Sequence, residues 1–330
     1  MSRLPITLAC GDYDRVAALK DGRVVPEGVS LNFIPLGPEE IFFRMARFGD
    51  FDACEMSLAS YICGRAQGRD DLIAIPVFPS RMFRHSAIYI HAASGIRKPE
   101  DLRGRRVGIP EFQMTAMVWV KGILSDDYGV KVTDVEWHMG GLEEPGREER
   151  VPLKLPAEIK IRSIPPDRTL SQMLEVGEVD AVLAARSPSP FIQGSAHVRR
   201  LFENFVEVEK DYFKRTGIFP IMHTVAIRRS VYDANPWVAV SLYKAFIEAQ
   251  RVSLNGLYGA PALRYSLAWL YSYLEQERQF LGPDGWANGA ARNRKTVDTL
   301  IRYLAEQGII VEAFPFESLF APNTLAEFKI

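Results

Sequence analysis

Five histidines and three cysteines are scattered over 330 residues, so few side chains can move a proton near neutral pH, and their neighbours decide their use. His85 closes the run Ser80-Arg81-Met82-Phe83-Arg84-His85, where two guanidinium forks, an imidazole and a ring fall within six positions. Such forks pair bidentately with carboxylates and a ring face stacks on a flat ligand, which suits a planar aromatic anion. A solvated basic loop is the plainer alternative. His223 enters the apolar run Phe219-Pro220-Ile221-Met222-His223-Thr224-Val225. It reads either as a satisfied core imidazole or as an acid–base group where the chain crosses between its halves.

The stretch Gly108-Ile109-Pro110-Glu111-Phe112-Gln113-Met114-Thr115 reads as a strand end, a proline break and a helix opening near Gln113. Free N–H groups and the dipole at a helix start receive a carboxylate, and Gln113 and Thr115 add side-chain donors. Capping by Glu111 and Thr115 is the competing reading. Glu111 repels a bound carboxylate and fits better as a proton donor or hydroxyl acceptor. Arg186 follows the strand-like run 180–184, as a second carboxylate clamp or a surface ion pair. Asp12 and Tyr13 follow the first strand, and Glu55 and Ser57 the third, in turns where open α/β sheets meet ligands. Their side chains suit phenolic hydroxyls, and helix capping explains Asp12 and Ser57 equally well.

Other chemistries find no support. HExxH, close zinc spacings, GxxxxGK[ST], GxGxxG and GxSxG are all absent, so neither a resident metal nor an organic cofactor is expected. A metal assembled from the distant His85, His138, His223 and Glu111 stays open. Cys10, Cys54 and Cys63 form no CxxC and point to a reducing compartment. Forty Lys and Arg against 41 Asp and Glu leave a net charge of -1, which gives no footprint for nucleic acid or an anionic membrane. No run approaches the roughly 18–20 apolar residues of a membrane span. The apolar start at 6–10 stops at Gly11-Asp12, short of a secretory core, so a cytoplasmic protein is expected.

These residues need a scaffold that brings distant turns together. Strand-like runs at 6–10, 29–34 and 51–56 alternate with helical patterns at 39–48 and 58–63, the order of an open α/β sheet with right-handed crossovers. A strand at 86–90 leaves this unit, and a second follows with strands at 107–109, 135–138 and 180–184 and helices at 113–124 and 170–176. The run 140–166 is rich in Pro, Glu and Arg and reads as a long excursion, in one version a hairpin. A strand at 224–227 returns to the first unit, and from Tyr232 the chain is nearly all helical. The expectation is an α/β protein of two lobes, residues 1–90 plus 222–330 and an inserted 91–221, with a ligand crevice between them. Tyr265 and Trp269, at helical spacing, read as core or as the interface of a homo-oligomer.

The segments ITLACGDYDR, FDACEMSLASYI, KPEDLRGRRVGIPEFQMTA and TLSQMLEVGEVDAVLAAR together resemble the type II periplasmic-binding-protein-like superfamily. Within it, IPVFPSRMFRHSAIYI, GIPEFQMTA, GIFPIMHTVAIRR and ESLFAPNTL are most similar to the 4,5-dihydroxyphthalate decarboxylase group. The resemblance covers nearly the whole chain. It implies a two-lobed binding-protein fold turned into a cofactor-free decarboxylase of a small aromatic carboxylate, yielding protocatechuate and carbon dioxide. The site it implies has a clamp in Arg81 or Arg186 with the helix start at Gln113–Thr115. A ring-protonating acid is His85 or, second, Glu111, and a hydroxyl-proton acceptor is His223, Glu111 or Glu55. A non-catalytic solute-binding protein for an aromatic or other small organic anion is the alternative. A third reading is another enzyme on the same fold, such as one acting on menaquinone-pathway intermediates.

Overall fold

A strand covered by helices on both faces is buried at every position, whereas an edge strand can alternate. That contrast separates β3 (Ala53–Ser57), buried at every position, from β2 (Val29–Pro35), which alternates. The computed structural model describes residues 3–147, 149, 152–258, 262–263 and 265–326. In its first sheet β1 (Leu4–Cys10) lies between β2 and β3, all parallel. Then come β4 (Leu72–Arg81) and, from far along the chain, β11 (Ile221–Arg228), in the order β2-β1-β3-β11-β4. Strand β11 runs antiparallel to both neighbours, and its register sets His223 opposite Ser57 on one side and Ser80 on the other.

The second sheet comprises β5 (Ile88–His91), β6 (Arg106–Ile109), β7 (Glu136–Met139), β8 (Ile161–Ser163), β9 (Ala181–Leu183) and β10 (Val198–Arg200), ordered β10-β5-β9-β6-β7-β8. The chain therefore crosses between sheets at 82–87 and again between 201 and 220. Among its described residues the excursion at 140–166 makes no hairpin. It delivers β8 parallel to β7, and parallel pairing requires the chain to travel back before it pairs.

The helices are α1 (Ala17–Lys20), α2 (Pro38–Phe48), α3 (Leu58–Ala66), α4 (Thr115–Tyr128), α5 (Leu170–Glu175), α6 (Ser189–Ile192) and α7 (Phe205–Thr216). Four more follow β11: α8 (Arg229–Ala234), α9 (Trp237–Tyr258), α10 (Leu270–Leu281) and α11 (Ala290–Glu306). Helix α9 lays Val238, Leu242, Phe246 and Ala249 on the first sheet, one face at helical spacing. On that sheet's other face an unbroken core runs from Phe42 and Ile62 through Trp119 to Val107 and Ile109 of the second. Tyr265 and Trp269 do not join a core: both are exposed, and Trp269 stands just before α10. Among the described residues no helix is long and apolar enough to cross a membrane.

Helix α4 ties the two halves together. Trp119 donates from Nε1 to the Ile221 carbonyl of β11 at 2.9 Å, and Gln307 at the end of α11 donates to the Val118 carbonyl at 2.9 Å. Where α4 meets α11, Gly122 leaves room for Tyr303, whose hydroxyl is pinned to Asp126 at 2.7 Å; a Cβ at 122 would approach that ring to 2.1 Å. We expect Gly122→Ala to destabilise the protein by about 1–3 kcal/mol through overpacking, despite the roughly 1 kcal/mol that alanine gains over glycine in a helix. Gly64→Ala in α3 meets only the flexible Arg69 at 3.6 Å and should stabilise. Urea midpoints of both variants check the opposite signs.

Candidate active site

The first wall is built on Glu55, wholly buried in β3. Four donors converge on its carboxylate: His223 Nδ1 at 2.5 Å, the Gly11 N–H at 2.9 Å, the Tyr13 hydroxyl at 3.0 Å and the Cys10 thiol at 3.5 Å. Gly11 is required here because the Tyr13 ring folds back over it, and a Cβ would come within 2.3 Å of that ring. Burial works to raise the Glu55 carboxyl, but His223, Gly11 and Tyr13 outweigh it and hold the group below its ordinary value. Glu55 is therefore ionised at neutral pH. It accepts from Nδ1, fixes the His223 tautomer and leaves Nε2 for another partner. Phe42 of α2 packs edge-on against the imidazole at 4.9 Å. Burial pushes the Tyr13 hydroxyl and the Cys10 thiol upward, with Glu55 adding to both, so each stays neutral.

Across the cleft, Thr115 does not cap its own helix. Its hydroxyl accepts from the Ala59 N–H at 3.0 Å and shares a 3.0 Å hydrogen bond with Ser57, so the first residue of α4 satisfies the start of α3. Glu111, at the end of β6, is buried and takes two bonds from Arg147, 2.7 Å from Nε and 2.5 Å from Nη2. Arg147 also reaches Glu39 in the first turn of α2 at 3.3 Å, and Arg186 meets the same Glu39 at 3.1 Å. The two pairs to Glu39 bridge the walls. Two cavities lie elsewhere: one of about 530 Å³ among α9, α10 and the loop before α11, and a groove of about 1170 Å³ beside Trp237. None of the Glu55 cluster lines either.

The start of α4 does receive a carboxylate, and it belongs to the protein. Glu149 accepts from the Phe112 N–H, with the Gln113 N–H also directed at it. Burial pushes its carboxyl up to about 7, with Glu111 adding to the rise and Lys121 opposing it. Lys121, buried beneath, donates to the Phe112 carbonyl at 2.6 Å and lies 3.1 Å from that ring. The buried Gln113 side-chain amide has no hydrogen-bond partner among the described residues.

The remaining expected residues are not gathered here. His85 is enclosed between Phe202 and Tyr212, 4.0 Å from Glu209, and burial lowers it to about 4. Arg81 is buried and spends Nη2 on the Ala287 carbonyl and on Asn293 at 2.7 and 2.6 Å. Arg84 lies buried between Met222 Sδ at 3.2 Å and the Ala185 carbonyl at 3.4 Å. Asp12 faces outward, paired with Lys20 at 2.7 Å. Sequence reasoning passed over Arg15, Glu39, Arg147, Glu149 and Lys121. The last three carried a signal, since a charged excursion and a lysine within an apolar helix both invite a buried partner. Among the described residues no group of three His, Cys, Asp or Glu is placed to hold a metal ion.

Strand order and the buried interface between sheets make this a type II periplasmic-binding-protein-like fold. Protein AF1704 from Archaeoglobus fulgidus superposes with a TM-score of 0.53 at 15% identity, covering 93% of this chain and 98% of that one. The ligand-binding component of an ABC-type import system from Staphylococcus aureus gives 0.50 at 10% identity, covering 97% and 96%. The chain belongs to the 4,5-dihydroxyphthalate decarboxylase family: it is 41% identical to that enzyme of Comamonas testosteroni over the full length of both. The Pseudomonas putida enzyme of the same name is 46% identical over 214 residues, 65% of this chain and 83% of that one. No family model matches.

Glu149 generates a pH prediction. A carboxyl raised to about 7 in the fold is protonated there while the unfolded chain has already lost its proton, so stability falls as pH rises from about 4.5 through 7. Glu149→Gln keeps an acceptor for the Phe112 N–H without the charge. Its urea midpoint should match the parent at pH 5 and exceed it increasingly towards pH 8.

Proposed function

We propose that the protein decarboxylates 4,5-dihydroxyphthalate to 3,4-dihydroxybenzoate and carbon dioxide, with His223 and Glu55 as its acid–base pair. What supports this is membership of a family of such decarboxylases, joined to a buried ionised carboxylate that orients a histidine at the cleft. Each carboxylate of this substrate is para to a hydroxyl. Loss of that hydroxyl's proton drives electrons to the carbon bearing the carboxylate, and a proton added there makes the ring dienone-like. The carbon–carbon bond then breaks, its electrons restore aromaticity and carbon dioxide departs. One proton is taken up and one carbon dioxide released, and the phenol itself serves as the electron source.

In this scheme protonated His223 delivers the ring proton from Nε2, while Glu55 stabilises the imidazolium through Nδ1 as an acidic partner does in a catalytic triad. His223 thus takes the ring-protonating role that the resemblance gives to His85 or Glu111 and leaves that of hydroxyl-proton acceptor; the His85 imidazole is enclosed by Phe202 and Tyr212. Glu111, from the opposite wall, accepts the hydroxyl proton. The Ser57–Thr115 contact and the Gln113 amide supply hydrogen bonds to the ring oxygens. Closure over the ring excludes water and strengthens every charge inside. We extend the reading to a reducing, cytoplasmic setting because Cys10, Cys54 and Cys63 are all buried and unpaired.

Incubation of the purified protein with 4,5-dihydroxyphthalate should release carbon dioxide and 3,4-dihydroxybenzoate in equal amounts. Glu55→Gln and His223→Gln should each lower kcat/KM by about 10²–10⁴-fold, the usual worth of general acid–base help. Thermal stabilisation by the compound without carbon dioxide release would mark a binding protein instead.

A further inference from the structure

Arg15 stands beside the Glu55–His223 pair with no role in the scheme above. Its guanidinium carbon lies 4.1 Å from the centre of the Tyr13 ring and 4.8 Å from that of Trp286. Tyr13 is the residue whose hydroxyl reaches Glu55. Nε donates to the carbonyl of Pro79, one residue before the Ser80 that pairs with His223. Nη1 meets Asp14 at 3.3 Å, and Ser253 holds the other oxygen of that aspartate at 3.0 Å. Two rings, a carbonyl and a carboxylate thus fix the plane of the guanidinium. Nη2 has no hydrogen-bond partner among the described residues, and the side chain keeps 21% of its surface exposed. A pinned fork with one open edge loses little entropy when it binds a carboxylate.

The other arginines near the cleft are committed. Arg147 and Arg186 bridge Glu39, Arg81 holds Ala287 and Asn293, and Arg84 lies against Met222 and Ala185. Substrate chemistry makes the same demand from its side. The carbon that takes the proton is bonded directly to the carbon bearing the carboxylate that stays, so a group that protonates one has the other carboxylate close by. Glu55 is ionised, and a second carboxylate brought beside it needs a cation.

We propose that Arg15, held against Tyr13 and Trp286, receives the carboxylate that survives the reaction, and so selects rings with two adjacent carboxylates. This rests on the decarboxylase reading. Trp286 serves as a positioning residue that keeps the fork in plane.

The test compares binding of 3,4-dihydroxybenzoate, which keeps that carboxylate, with catechol, which lacks it, by titration calorimetry on the full chain. The parent should prefer 3,4-dihydroxybenzoate by about 10- to 100-fold, the worth of a charged hydrogen bond. Arg15→Gln should erase the preference and raise KM for 4,5-dihydroxyphthalate by a similar factor, with kcat changed far less, as loss of uniform binding requires. Arg15→Lys, a point charge without the fork, should fall between, and it carries the test if Arg15→Gln melts early. An undiminished preference and KM in variants that melt like the parent would overturn the proposal. A parent that prefers 3,4-dihydroxybenzoate but turns over no 4,5-dihydroxyphthalate would sink the decarboxylase reading while leaving Arg15 as a carboxylate site.

Discussion

A carboxylate with no exposed surface can stay ionised only if donors replace the water it has lost. Glu55 meets that condition with a backbone N–H, a phenol, a thiol and an imidazole, and much of the first sheet serves to assemble them. Gly11 follows β1 without a side chain, so that Tyr13 can turn back. Strand β11 lies between β3 and β4, in the register that brings His223 level with Ser57 and Ser80. Removing any donor leaves part of a buried charge uncompensated. The arrangement is therefore expensive to disturb, and the histidine it orients has one nitrogen committed and one to spend.

A second constraint acts between the halves. The contacts that close the cleft are polar and few: a hydroxyl pair, an amide and ion pairs sharing Glu39. Exposed ion pairs of this kind are each worth little. The firm joint lies deeper, where Trp119 bonds α4 to β11 and Gln307 bonds α11 to α4. The Glu55–His223 pair is built wholly on the first sheet.

Much of this was legible in the residues. Alternation in 29–34 identified a half-buried strand, 51–56 read as a short strand, and His223, Glu55, Tyr13, Ser57 and Thr115 were singled out. Their joint geometry was not readable, because β11 pairs across 168 positions with β3 and no local pattern encodes such a register. His85 misled for the converse reason. Its neighbours in sequence are basic and aromatic, as at a cleft, but its neighbours in space are Phe202 and Tyr212, from β10's loop and α7. At the start of α4 the physics of an anion at a helix end held, yet the anion came from Glu149, within the charged excursion at 140–166. Arg15 escaped notice because its significance lies in what fixes it, the Pro79 carbonyl and Trp286, both remote in sequence.

The insertion of β11 between β3 and β4 also orders events in time. A ribosome releases Leu4–Arg81 first, then all six strands of the second sheet, and only afterwards the strand that completes the first. The second sheet can form while the first still has an open slot between two apolar strands, a slot that invites pairing with other chains until Ile221–Arg228 emerges. Glu55 meets His223 only when that slot closes. The nascent protein thus carries Glu55 without its histidine partner until residue 223 is made, and the buried pair arrives with the last strand.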